Sequence, residues 1–326
     1  MNLLSRVIVL CLFPNVLWTQ SDQDTVVTFI MTGDLNFAHA FERAIQKKTF
    51  DVFGNWKKNI KYDCMVVNLE NAVTRSIDSV DKEYVFKMRP ELLYQLVDAG
   101  INMVNCANNH SADFGFEGIL ETIRHLDSAG IRHIGIGRNF SEAREPVIYE
   151  KNGIRTAWIG YGGVKDFIAT RYQPGTNSRN EKYILRDIKK TRPIVDWIIV
   201  VLHWGEELAT EPDINQIEMA HRIIDSGADM IIGHHPHVLQ GIERYHGKVI
   251  AYSLGNFVFG GNASNVNYET AVLRGIFSKD AMNIEAIPVR VRNWQPIPAT
   301  GEVATRIFKQ LENRSKIFKA TISYSN

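Results

Sequence analysis

The chain has 326 residues, of which 45% are apolar and 22% charged, the profile of a globular protein with room for one large domain or two ordinary ones. Its formal net charge is +1 and it carries no basic block or stripe, which argues against nucleic acid as a partner.

From the N-terminus, Arg6 precedes the apolar run VIVLCLFPNVLW, which has the length of a secretory hydrophobic region, and the chain turns polar from Thr19 to Asp24. This pattern predicts a signal peptide or N-terminal anchor over residues 1–21 and an extracytoplasmic protein, secreted or membrane-anchored. Pro14 interrupts the run and no A-x-A cleavage site follows, so a buried N-terminal segment is the competing reading. Beyond Cys11, which lacks the small preceding residues of a lipidation site, only Cys64 and Cys106 are present. Both lie in apolar strand-like runs and are expected to be a reduced, buried pair.

Strand-like and helix-like runs then alternate, which predicts an α/β domain. Strands are expected over 25–33, 63–69, 101–107, 133–137, 196–203, 229–233 and 248–254. Helices over 91–100, 118–130 and 217–227 have apolar residues three and four apart and each ends in glycine. A hairpin is expected about Asn152-Gly153, and 269–279 with 281–293 read as antiparallel strands. The polar stretch 166–182, with Pro174-Gly175, reads as a loop beside the site. No composition shift divides residues 24–295, so a single domain is expected over 22–295, followed by a C-terminal helical extension over 296–326.

Most strands that could form the central sheet end at a residue able to bind a cation or move a proton. The first ends in Gly33-Asp34, the second in Asn68-Leu69-Glu70 and the third in Asn108-Asn109-His110. The fifth ends in His203-Trp204-Gly205, and the sixth in a turn holding His234, His235 and His237, stiffened by Pro236. Singly, each has an ordinary explanation: a helix cap for Asp34, a surface carboxylate for Glu70, a turn pair for Asn108-Asn109, a satisfied core histidine for His203. Together, at the carboxyl ends of strands, they are expected to converge on one crevice. The mixed oxygen and nitrogen donor set suits one or two divalent transition ions, Mn²⁺, Fe or Zn²⁺, and the absence of a cysteine beside the histidines argues against a structural zinc knot. Asn256 ends another apolar strand and either lines the same crevice or forms a turn. Lys87 and Arg89 could hold an anion, but a solvated edge strand is the better reading. A P-loop and a G-x-S-x-G serine elbow are both absent.

The ordered motifs GDLN, VVNLEN, ANNHSADFG, VLHWGEE, GHHPHVLQ and YSLGNFVF resemble those of the CapA-like family of capsule and poly-gamma-glutamate synthesis proteins, within the calcineurin-like metallophosphoesterase superfamily, over about residues 25–260. The resemblance implies a four-layer α/β/β/α sandwich with a metal site at the sheet edge. By motif, Asp34 resembles the first metal-binding aspartate, Glu70 takes the place of the bridging aspartate, and Asn109 resembles the amide ligand before a catalytic histidine, His110. His203 resembles the isolated strand-end ligand, His235 and His237 match the H-x-H pair, and His234 is left as a neighbour. Asn36 stands where the wider superfamily has a further histidine ligand, and a glutamate replaces the bridging aspartate.

The expected function is metal-dependent hydrolysis of a phosphoester or related anionic linkage, on a small molecule or a polymer, with His110 protonating the departing oxygen and Asp113 orienting it. The alternatives are a non-catalytic accessory role in a membrane-bound complex that makes or exports a polyanionic polymer, and metal-assisted peptide epimerisation.

Overall fold

The computed structural model describes residues 9–11, 25–45, 51–261, 267–318 and 323–325. In its first half, strands β1 (Val27–Asn36), β2 (Cys64–Leu69), β3 (Ile101–Asn105) and β4 (Arg132–Ile134) lie side by side and parallel in chain order. Helices α1 (His39–Ile45), α2 (Gly54–Asn59), α3 (Leu93–Asp98) and α4 (Gly115–Ala129) fill the connections, and α4 stops at Gly130, whose φ of 69° suits a glycine. The second half builds another sheet from β5 (Val147–Lys151), β6 (Ile154–Tyr161), β7 (Trp197–His203), β8 (Met230–His234), β9 (Ile242–Tyr245) and β10 (Lys248–Ala251), in the order β9-β10-β8-β7-β6-β5. The hairpin about Asn152-Gly153 joins β5 to β6, with φ of 53° and 73° at the two turn residues.

The chain then returns to the first sheet. Strand β11 (Asn256–Phe259) pairs parallel with the end of β1, while β12 (Asn267–Phe277) pairs antiparallel with its beginning and with β13 (Met282–Arg292). Strand β14 (Gln295–Pro298) lies on β13, and Val9–Cys11 also pairs with β13, Leu10 opposite Ala286. The rest of the 1–21 segment read as a signal or anchor lies outside the described residues. No helix among the described residues is long and apolar enough to cross a membrane.

Alternation along each strand sorts the core into three apolar layers. Val27, Phe29 and Met31 of β1 face Ile199 and Val201 of β7 between the sheets. Ile30 and Leu35 turn the other way, toward Phe41, Trp56, Leu96, Ile119 and Ile123 of the first helical layer. On the far side, Ile198, Val200 and Leu202 of β7 meet α5 (Glu181–Thr191) and α6 (Ile214–Asp225) through Ile184, Ile188, Ala220 and Ile223. The result is the four-layer α/β/β/α sandwich. The last helix, α7 (Gly301–Ser315), inserts Ala304, Ile307, Phe308 and Leu311 into the core between the sheets.

Two regions differ from the strand pattern read from the sequence, while the cysteines are as expected. The expected 133–137 strand breaks at Gly135 (φ 76°), and Ile136–Gly137 pairs instead with Gly175–Thr176 from the stretch expected to be only loop. The strand expected to run to 254 stops at Ala251, and β11 is a separate element of the other sheet. Cys64 and Cys106 are both buried and free, one between the sheets and the other on the helical side.

Candidate metal centre

At Thr32-Gly33 the pairing of β1 with β2 slips, from Met31 opposite Val66 to Asp34 opposite Asn68. A Cβ at Gly33 would lie 1.9 Å from the carbonyl oxygen of Gly255, so only glycine allows the approach. The Asp34 N–H donates to that same oxygen at 2.8 Å. Here β1 exchanges β12 for β11 as neighbour, and Asp34 enters the space between the strand ends fully buried.

Four other strand ends surround it. Asn68, at the end of β2, is a buried hub: its amide donates to Asp34 Oδ1 at 2.9 Å and lies 3.3 Å from His203 Nδ1, while its oxygen accepts from Asn105 at 2.8 Å. Glu70 follows, fully buried, with Oε1 at 3.6 Å from His237 Nε2 and 3.8 Å from His203 Nε2. Asn109 Oδ1 lies 2.7 Å from His203 Nε2. His203 ends β7 and pairs in register with His234 of β8, so adjacent parallel strands deliver both imidazoles to the same edge.

The histidine turn is strained. His235 and His237 have φ of 99° and 59°, and Gly233 before them packs so closely that a Cβ would meet Tyr252 O at 1.9 Å and Trp204 Nε1 at 2.6 Å. His237 Nδ1 lies 3.1 Å from Asp34 Oδ2 and 2.9 Å from Asn256 Oδ1, which places Asn256 in the crevice. His234 Nδ1 is 3.1 Å from Asp34 Oδ1, and the His235 ring lies 4.7 Å from that of His203.

Burial opposes the charge of Asp34, but His234 and His237 outweigh it and hold its carboxyl well below the usual range. Burial raises Glu70 well above it. His237, although buried, is lifted to about 10 by Glu70 and Asp34, whereas burial and the neighbouring imidazoles depress His203 and His235.

His110 sits beside this cluster. Its Nδ1 lies 2.7 Å from Asp113 Oδ2, and since a carboxylate oxygen only accepts, Nδ1 carries the proton and Nε2 is the end free to meet a substrate. Asp113 Oδ2 also accepts from the Phe86 N–H at 2.7 Å, and the Phe86 ring lies 4.2 Å from His110. Lys82, which the motifs did not mark, donates to Asp113 Oδ1 at 2.9 Å and to Asn109 O at 2.7 Å. Lys87 and Arg89 turn elsewhere, Lys87 to Ser76 O at 2.6 Å and Arg89 to Glu42 at 2.6 Å. The nearby cation was legible only as a third basic residue a few positions earlier in the same stretch.

The donor set fits a divalent ion. Glu70 Oε1 and His235 Nδ1 are buried with no hydrogen-bond partner, and both residues belong to the cluster at the strand ends. The gaps from Glu70 Oε1 to the two imidazoles exceed a hydrogen bond, yet they lie within the roughly 4 Å that separates two ligands each about 2.0–2.2 Å from one ion. Ligand atoms of Glu70, His203 and His235, and of Asp34, Glu70 and His237, fall within 4.8 Å of one another in each group. Asn36 is not part of either. Its amide donates to Glu70 O and accepts from Ala38 N–H, both at 2.8 Å, so it is used entirely on backbone.

Two stacked sheets between helical layers, with carboxylates, amides and imidazoles gathered at the strand ends, define an α/β/β/α sandwich with a candidate metal centre at its sheet edge. Within that class, the chain belongs to the family described as "Bacterial capsule synthesis protein PGA_cap", whose model matches residues 28–261. It is 30% identical over 298 residues to the capsule biosynthesis protein CapA of Bacillus anthracis, covering 87% of this chain and 72% of the relative. It is also 30% identical over 282 residues to the PGA biosynthesis protein CapA of Bacillus subtilis, covering 84% and 74%. Among solved structures, NAD nucleotidase of Haemophilus influenzae aligns at 13% identity and a TM-score of 0.47, over 88% of this chain and 56% of that one.

Proposed function

We propose that the protein serves capsule or poly-gamma-glutamate biosynthesis outside the cytoplasm, as a metal-dependent hydrolase of phosphoester or related anionic linkages. The observation that carries this reading is the His110–Asp113 pair set beside the buried cluster: a site that only bound an ion would not need an oriented proton donor at its edge. Asp34, Glu70, Asn109, His203, His235 and His237 would hold one or two Mn²⁺, Fe or Zn²⁺ ions. Such an ion supplies Lewis acidity and acidifies a coordinated water toward about pH 7.

The rest of the chemistry belongs to the chain. Asp113 fixes the tautomer and orientation of His110, directing Nε2 at the crevice, where it gives its proton to the departing oxygen. Burial lowers the pKa of His110 against the pull of Asp113, and an anionic substrate at Nε2 reverses that tendency by favouring the imidazolium. Lys82 locks Asp113 and the Asn109 carbonyl in place, so the proton donor and the amide ligand share one clamp.

Support for the polymer context comes from the names of the two relatives. The test is elemental analysis of the purified protein together with Mn²⁺-dependent hydrolysis of generic phosphoesters. His235→Ala is expected to lose bound metal, and His110→Ala to keep it while losing about 10²–10⁴-fold in rate. Full metal content with equal rates in the parent and His110→Ala overturns the hydrolase reading.

A further inference from the structure

The loop after β7 carries a carboxylate that the fold directs toward the histidine turn. Glu207 follows His203 by four residues, on the loop leaving β7. One of its oxygens and the ligand nitrogens of His235 and His237 all lie within 4.8 Å of one another. This placement is built into the backbone. The Leu208 N–H donates to Pro236 O at 2.9 Å, and the Gln240 amide donates to Ala209 O at 2.9 Å, so the loop is tied to the histidine turn at Pro236 and just beyond it. Gly205 (φ 87°) and Leu208 (φ 62°) take left-handed conformations to make the bend, a cost for Leu208 that the two tethers hold in place. Independently of the loop, His235 Nδ1 is buried and unpartnered on the other side of the gap.

We infer that Glu207 is a metal ligand, completing with His235 and His237 a two-imidazole, one-carboxylate site for Zn²⁺, Fe²⁺ or Mn²⁺. This rests on the metal-dependent reading above. Because Glu207 is exposed where Asp34 and Glu70 are fully buried, it forms the solvent face of the centre. An arriving substrate therefore meets a carboxylate at the outer coordination position, and substrates that displace or bypass it are selected.

The test uses the purified full chain, stripped with a chelator and titrated with Zn²⁺ by calorimetry, with metal content measured after dialysis. Glu207→Ala is expected to weaken Zn²⁺ binding about 10- to 100-fold, Glu207→Asp to recover part of the loss, and Glu206→Ala to match the parent. The metal-free melting temperature is expected to stay unchanged, since the side chain is exposed. If Glu207→Ala binds Zn²⁺ as the parent does while His203→Ala does not, Glu207 is no ligand and the metal centre stands. If the parent itself takes up neither Zn²⁺ nor Mn²⁺, both readings fall together.

Discussion

Asn36 lies two residues beyond Asp34, and its amide bridges the carbonyl of Glu70 and the N–H of Ala38 while fully buried. Removing it strands two backbone groups without exposing them, so Asn36→Ala is expected to cost about 1–3 kcal/mol in urea denaturation. The same variant, once folded, is expected to retain the parent's metal content, because the amide faces backbone; loss of metal without loss of stability would contradict this. At this scale the sequence carried much of the site. Asp34, Glu70, Asn109, His203, His235 and His237 lie at or within a few residues of the carboxyl ends of strands, which converge in a sheet of this type, and His110 and Asp113 follow in the loop after β3; Asn256, expected to end a strand, instead begins β11 and meets His237 there. Lys82 and the hub role of Asn68 were not legible. Lys82 comes from an irregular segment, and nothing in residue spacing tells which of three nearby cations turns inward.

Among the elements, period and punctuation sufficed where packing is local. Helix α4 shows buried residues at Ile119, Thr122, Ile123 and Leu126 and a glycine stop, as its spacing required. Strand β11 could not be separated from β10, because its pairing is with β1, far earlier in the chain, and only the close approach of Gly255 to Gly33 turns the backbone from one sheet to the other. The histidine turn depends on an equally close approach. Gly233→Ala places a methyl group against a carbonyl oxygen and an indole nitrogen that are hydrogen-bonded to each other at 3.0 Å, and it is expected to destabilise the protein by about 1–3 kcal/mol. Because His235 follows within two residues, weaker Zn²⁺ binding in calorimetry is expected to accompany the loss. A variant stable as the parent would show that the turn can relax.

Across the whole molecule, the final helix behaves as part of the core. Phe308 of α7 is 2% exposed and packs between the sheets, so Phe308→Ala is expected to cost about 3–5 kcal/mol, measured by thermal or urea unfolding. A change under about 1 kcal/mol would instead mark the helix as an extension laid on the domain, not a part of its core. That packing was illegible because an amphipathic helix reads the same whether it covers an outer face or plugs the gap between two sheets.

The exchange of partners along β1 also sets when the centre can come into being. The His235 N–H that approaches Asp34 lies 201 residues away in the chain, and the strand that seats Asp34 is formed only after the histidine turn has been passed. A nascent chain halted before Asn256 already carries every candidate ligand but lacks the strand that pairs with the end of β1 beside Asp34. The candidate centre therefore joins the two halves of the chain: its geometry exists only where the strand after the histidine turn has docked against the end of the first strand.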